Sequence, residues 1–179
     1  MTKKHKKIIY VLVTVALFLT FILWFFPVSA FTADYIEDCG SGIDEARKLV
    51  PSAYNLMFGG KKTFEGFLYI REIDYSNYVV DGLKFVFFLH LAITVSTTIV
   101  TVRKFNYQDS VIVESILPIL LAFCGTTYFV LICTSIPSIS SSLIGGIEKT
   151  TIVGFTTILI TLIYLASTCL ISICNISKR

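Results

Sequence analysis

Ionisable side chains are rare in the long apolar stretches of this chain, so the few that occur there are the first candidates for chemistry. His90 stands six residues past Lys84, which is about 9 Å deeper if the stretch is helical. An imidazole in such a place can carry protons, sense pH or hold neighbouring helices together by hydrogen bonds. Glu114 is its nearest acid by chemistry, but it enters its own apolar run from the opposite end. In a hydrocarbon core about 30 Å thick, depths of about 9 Å and about 4.5 Å leave the two groups more than about 15 Å apart. Direct proton exchange between them is therefore excluded, and Glu114 is expected to pair with Arg103 or Lys104 across a short connection. Asp81 and Lys84 mark the mouth of the run that holds His90, where a lysine can extend its ammonium group to water.

His90 has company on its own face. His90, Thr94, Thr97 and Thr101 recur at spacings of 4, 3 and 4, the rhythm of one side of a helix. Gly154, Thr157, Thr161, Tyr164, Thr168 and Ser172 follow the same rhythm later in the chain. Small and hydroxyl side chains on one stripe let helices approach closely and hydrogen-bond across the gap, although a water-lined pore would use similar residues. If the stripe faces a wet cavity, a small transporter or channel component is indicated. If it is sealed against another helix, packing is indicated.

Other chemistry finds no foothold. The five cysteines (Cys39, Cys124, Cys133, Cys169, Cys174) show no metal-binding spacing. Cys124 and Cys169 read as buried small hydrophobes, Cys39 and Cys133 as a candidate disulfide, and Cys174 as a candidate acylation site. No His-Glu-x-x-His, Gly-x-Ser-x-Gly or phosphate-loop motif occurs. No catalytic residue, cofactor or metal ligand is expected, and the chain reads as a non-enzyme.

The elements that must position His90 are four long apolar runs, Ile8–Phe26, Leu83–Val102, Val111–Thr134 and Thr151–Ile173. Each is close to the roughly 20 residues that a helix needs to cross a bilayer. Charged residues are only 15% of the chain and hydrophobic residues 55%, whereas a soluble domain usually carries about 25% charged residues. The expected fold is an all-α membrane protein, a four-helix transmembrane bundle with one extracellular segment of about 50 residues. Residues 1–30 form the basic N-terminus and first helix, 31–82 the extracellular segment, and 83–179 three further helices with short connections.

Basic clusters give the orientation. Lys3, Lys4, Lys6 and Lys7 precede the first run, whereas the sixteen residues after Ala30 contain no Lys or Arg. Arg103 with Lys104, and Lys178 with Arg179, fall on the same side by alternation. Positive charge near span ends is retained in the cytoplasm, so both termini are expected there, with the protein in the plasma membrane. The net charge of +3 is too small and too dispersed for nucleic-acid binding. The first run also allows a second reading: a basic start, an apolar core and Val28-Ser29-Ala30 resemble a cleavable secretory signal. Its nineteen residues exceed the roughly 7–15 of a signal core, which favours a retained anchor.

In the extracellular segment, Asp44–Leu49 reads as a short helix with acids first and bases last, followed by Pro51. Tyr54–Phe58, the turn Gly59-Gly60-Lys61-Lys62 and Phe64–Ile73 read as a β-hairpin. The segment is too small for a core of its own, and its aromatics Phe58, Phe64, Phe67, Tyr69, Tyr75 and Tyr78 are expected at the membrane surface or over the span ends.

The run ending in Phe25-Phe26-Pro27, then Ser52-Ala53-Tyr54-Asn55-Leu56-Met57-Phe58-Gly59, then a second span, resembles small four-span membrane proteins of low-GC Gram-positive bacteria. That group has no established activity, so the resemblance implies an architecture and a bacterial plasma membrane but no mechanism. Tetraspanins and claudins do not fit, because their outer loops carry paired cysteines and this one holds only Cys39, before a glycine. The expectation is a structural or accessory membrane protein that packs its helices in the lipid bilayer and associates with itself or another membrane protein. The candidate packing or functional residues are His90, Thr94, Thr97, Thr101, Glu114, Gly154, Thr157 and Thr161.

Overall fold

The structure, a computed structural model, describes residues 3–35, 45–49, 52–65, 70–102, 109–143 and 149–176. In chain order its elements are α1 (Lys3–Leu23), β1 (Ser29–Tyr35), β2 (Glu45–Leu49), α2 (Ala53–Phe58), β3 (Lys61–Glu65), β4 (Ile70–Asp74), a 3-10 turn (Tyr75–Tyr78), α3 (Asp81–Val102), α4 (Asp109–Leu143), β5 (Lys149–Val153) and α5 (Phe155–Ile176).

Among the described residues, four helices contain stretches long and apolar enough to cross a membrane: His5–Leu23, Asp81–Val102, Ser115–Ser135 and Phe155–Cys174. They run to 19, 22, 21 and 20 residues, and a helix of about 20 residues spans about 30 Å. Phe18, Ile22, Phe85, Phe88, Ile119, Val130 and Leu162 are all exposed. Such a surface is stable where lipid takes the place of water. The chain is a multi-pass membrane protein with the four-helix architecture that its apolar runs predict.

The residues divide into two compact units. The first comprises Met1–Leu23, Phe85–Phe129 and Leu159–Arg179. In it α1 runs antiparallel to α3: the Phe21 and Phe87 rings lie 5.6 Å apart, Leu17 meets His90, and Thr14 meets Thr101. Its buried residues include Tyr10, Leu17, Val86, Leu121, Cys124, Tyr128, Ile160 and Tyr164.

The second unit comprises Trp24–Lys84 and Val130–Ile158. β1 is the centre of a three-stranded antiparallel sheet in the order β2-β1-β5, with Phe31 opposite Leu49 on one side and Ser29 opposite Val153 on the other. β3 and β4 form an antiparallel hairpin, Lys61 opposite Asp74 and Glu65 opposite Ile70. α2 packs against the 3-10 turn, and Trp24, Val28, Leu56, Met57, Tyr75 and Leu83 are buried. The segment between the first two spans thus shares its unit with the region from Val130 to Ile158, as a segment too small for its own core must.

Three local expectations are corrected. Glu45–Leu49 is a strand and not a helix. Pairing with β1 satisfies the backbone amides and carbonyls of these residues directly. Tyr54–Phe58 is helical and not the first arm of a hairpin, because Ser52 and Asn55 form a reciprocal cap: the Asn55 amide donates to Ser52 Oγ at 3.1 Å and the Ser52 amide to Asn55 Oδ1 at 3.2 Å. Accordingly Lys61 and Lys62 lie in β3 and not in a turn. Gly59 and Gly60 adopt φ of 73° and 113°, and a Cβ on Gly59 would come within 2.9 Å of Ser76 Cα. Finally, Thr151–Val153 belongs to β5 and not to the last span, which begins at Phe155.

Candidate functional site

His90 is fully buried where α1, α3 and α5 meet. Its Nε2 lies 3.1 Å from the Leu17 carbonyl oxygen, and its Nδ1 lies 2.8 Å from Tyr164 Oη. A carbonyl oxygen can only accept, so Nε2 must carry the proton. In a neutral imidazole Nδ1 is then an acceptor, and the Tyr164 hydroxyl donates to it. One tautomer satisfies both bonds. The Phe21 ring closes another side of the imidazole, edge-on at 4.3 Å, and the Tyr164 ring stands at 5.5 Å.

The chain places these groups by depth. His90 is the tenth residue of α3 and Tyr164 the tenth of α5, and by alternation the two helices enter from the same face. Leu17 lies six residues before the end of α1, which reaches that face from the other direction. At 1.5 Å per residue all three sit about 9–14 Å from their helix ends. Tyr164 already stands on the stripe of small and hydroxyl side chains of the last span, and its matching depth is the signal that identifies it as the partner of His90.

The threonines behave differently from a ladder of bonds between helices. Thr94 donates to the His90 carbonyl at 2.8 Å, Thr97 to Thr94 at 2.9 Å and Thr101 to Thr97 at 2.7 Å, so each hydroxyl is satisfied within its own helix. Thr101 also reaches across, with its Oγ1 3.3 Å from Thr14 Oγ1. Thr94 and Thr97 are buried and act as small packing surfaces. In α5, Thr168 donates to the Tyr164 carbonyl at 2.8 Å, and Thr161 is half-buried.

The glycine that allows close helix approach is not the one the stripe suggests. Gly154 precedes α5 and caps it, its carbonyl accepting from the Thr157 amide at 3.0 Å. Its own amide donates to the Val28 carbonyl at 3.0 Å, and Thr157 Oγ1 donates to the same oxygen at 2.6 Å. Gly154 and Thr157 therefore tie the start of α5 to the chain leaving α1. The close approach belongs to Gly125 of α4, where a Cβ would fall 2.7 Å from Tyr164 Cβ. Gly125 thus lets α4 seat the residue that holds His90.

Of the remaining candidates, Asp81 and Lys84 form an ion pair at 2.7 Å on the first turn of α3, where an acid also complements the helix N-terminus. The backbone of Glu114 lies in α4. Its side chain, like Arg103, Lys104 and Cys39, lies outside the described residues, and so do the proposed ion pair and disulfide. Cys133 is free, Cys124 is buried as expected, and Cys169 is exposed and not buried. Cys174 is buried and presents no accessible thiol for acylation. Among the described residues no three His, Cys, Asp or Glu side chains come together to hold a metal.

The arrangement can bind three helices through one neutral imidazole. No family model, curated protein or solved structure matches the chain, so this buried junction and the four spans carry the functional reading on their own.

Proposed function

We propose that the protein is a structural or accessory component of the plasma membrane, with both termini cytoplasmic, acting through helix packing and protein partners. The observation that carries this reading is the closure of His90: its side chain has 0% exposure, and both ring nitrogens are engaged by α1 and α5. A group meant to shuttle protons or contact a solute needs one face open to water, and this one gives both to the protein. The bonds that Leu17 and Thr14 make to α3 support α1 as a retained span and not a cleaved signal. The basic clusters at both termini and at Arg103-Lys104 support the orientation.

The test is affinity capture of the full chain in mild detergent beside a solute-flux assay in vesicles. A second copy or one defined membrane partner retained in stoichiometric amount, with no flux, is the expected result. A pH-dependent flux that disappears in both His90→Gln and His90→Leu would replace this reading with a transporter or channel.

A further inference from the structure

A cavity of about 200 Å³ opens between α3 and α4, walled by Leu89, Ala92, Ile93 and Ser96 on one side and Ile116, Leu117 and Leu120 on the other. Ile93 and Leu117 are 2% and 3% exposed and form its floor, whereas Ala92, Ser96 and Ile116 are exposed at its rim. The one hydroxyl is already used, since Ser96 Oγ donates to the Ala92 carbonyl at 2.8 Å. The lining therefore offers an occupant mainly dispersion contacts and little that is polar. An apolar cavity of about 150 Å³ is known to stay dry and to take up benzene. This one is larger and faces the bilayer.

Its depth and the charge around it identify the occupant. Leu89 and Ser96 lie thirteen and six residues from Val102, the last residue of α3, which places the groove about 9–20 Å from that end by helical rise. One leaflet of hydrocarbon is about 15 Å thick, so the nearer half of the groove lies alongside the inner end of an acyl chain whose headgroup sits at that face, and the farther half reaches past the midplane. By alternation the same face receives the N-terminus, the α3–α4 connection and the C-terminus. The sequence places eight Lys or Arg residues there against two acids, Asp109 and Glu114. Clustered bases beside span ends attract anionic headgroups.

We propose that the α3–α4 groove seats one acyl chain of an anionic phospholipid whose headgroup lies at the basic face. This goes beyond the accessory reading and does not depend on it. The small side chains Ala92 and Ser96 form the notch, and the chain's methylenes cover Ile93 and Leu117.

The full chain is reconstituted in phosphatidylcholine vesicles containing a trace of either phosphatidylglycerol or phosphatidylcholine with a photoreactive group in the acyl chain, and labelled residues are mapped by mass spectrometry. Labelling is expected to concentrate on residues 89–96 and 116–120 relative to the exposed Leu162 and Leu165 of α5, and to be several-fold greater with phosphatidylglycerol. Filling the notch with Ala92→Leu and Ser96→Leu should abolish groove labelling and leave α5 labelling unchanged. Uniform labelling of all exposed faces in the wild type overturns the proposal without reference to any variant. Undiminished groove labelling in the double variant also overturns it. Cross-links between two copies at the groove assign it to self-association instead, and equal labelling by the two lipids removes the headgroup from the assignment.

Discussion

At the scale of single residues, His90 fixes its neighbours because both its nitrogens have partners. Replacing it with Gln keeps a donor and an acceptor, whereas Leu leaves the Tyr164 hydroxyl buried without its acceptor. Hydrogen bonds between membrane helices are worth about 0.6 kcal/mol on average and up to about 1.7. His90→Leu is therefore expected to destabilise by about 1 kcal/mol, with His90→Gln close to wild type, measured by denaturant titration in detergent micelles. A leucine variant as stable as the wild type would remove the junction from the account. Tyr75 presents the opposite case: its hydroxyl is buried without a partner, and burial pushes its pKa up to about 12. The unfolded value is about 10, so the folded state favours the neutral phenol. That stabilisation is fully present below pH about 10 and is lost as the pH rises through about 12. Tyr75→Phe removes an unsatisfied buried group. It should be at least as stable as wild type at neutral pH and lose less stability between pH 10 and 12, as thermal melts across that range would show.

At the scale of elements, legibility followed the length of the signal. The spans were readable because each continues its apolar character for about five turns, which no short-range accident imitates. The short pieces were not. Glu45–Leu49 has the charge order of a helix, yet its conformation is decided by β1, a strand ten or more residues away. Tyr54–Phe58 is as aromatic as a strand, and the deciding feature is the Ser52–Asn55 pair that caps its start. Thr151–Val153 was hidden at the front of an apolar run, and its partner Ser29–Phe31 lies more than a hundred residues earlier. Likewise, the stripe through His90 could be read from spacing, but the closeness of Gly125 to Tyr164 depends on how two helices meet. The β1–β5 pairing makes its own prediction. Cysteines placed at Ala30 and Ile152, which face each other in register, should form a disulfide under mild oxidation, visible as a shift in gel mobility that reductant reverses. Failure to cross-link, with efficient cross-linking of a pair out of register, would contradict the sheet.

At the scale of the whole molecule, the β1–β5 pairing requires the segment after the first span and the segment before the last to lie on one side of the membrane. Four spans deliver that arrangement, because two crossings separate those segments. The remaining choice is which side. The N-terminal lysines, Arg103-Lys104 and Lys178-Arg179 share the other face, and basic residues at span ends are retained in the cytoplasm. The most direct measurement is cysteine labelling in intact cells by a reagent that cannot cross membranes. A cysteine at Lys62 should be labelled, and one at the exposed Lys7 should be labelled only after the membrane is opened. Labelling at Lys7 but not at Lys62 would reverse the orientation, and labelling of both in intact cells would contradict four crossings with a single retained N-terminus.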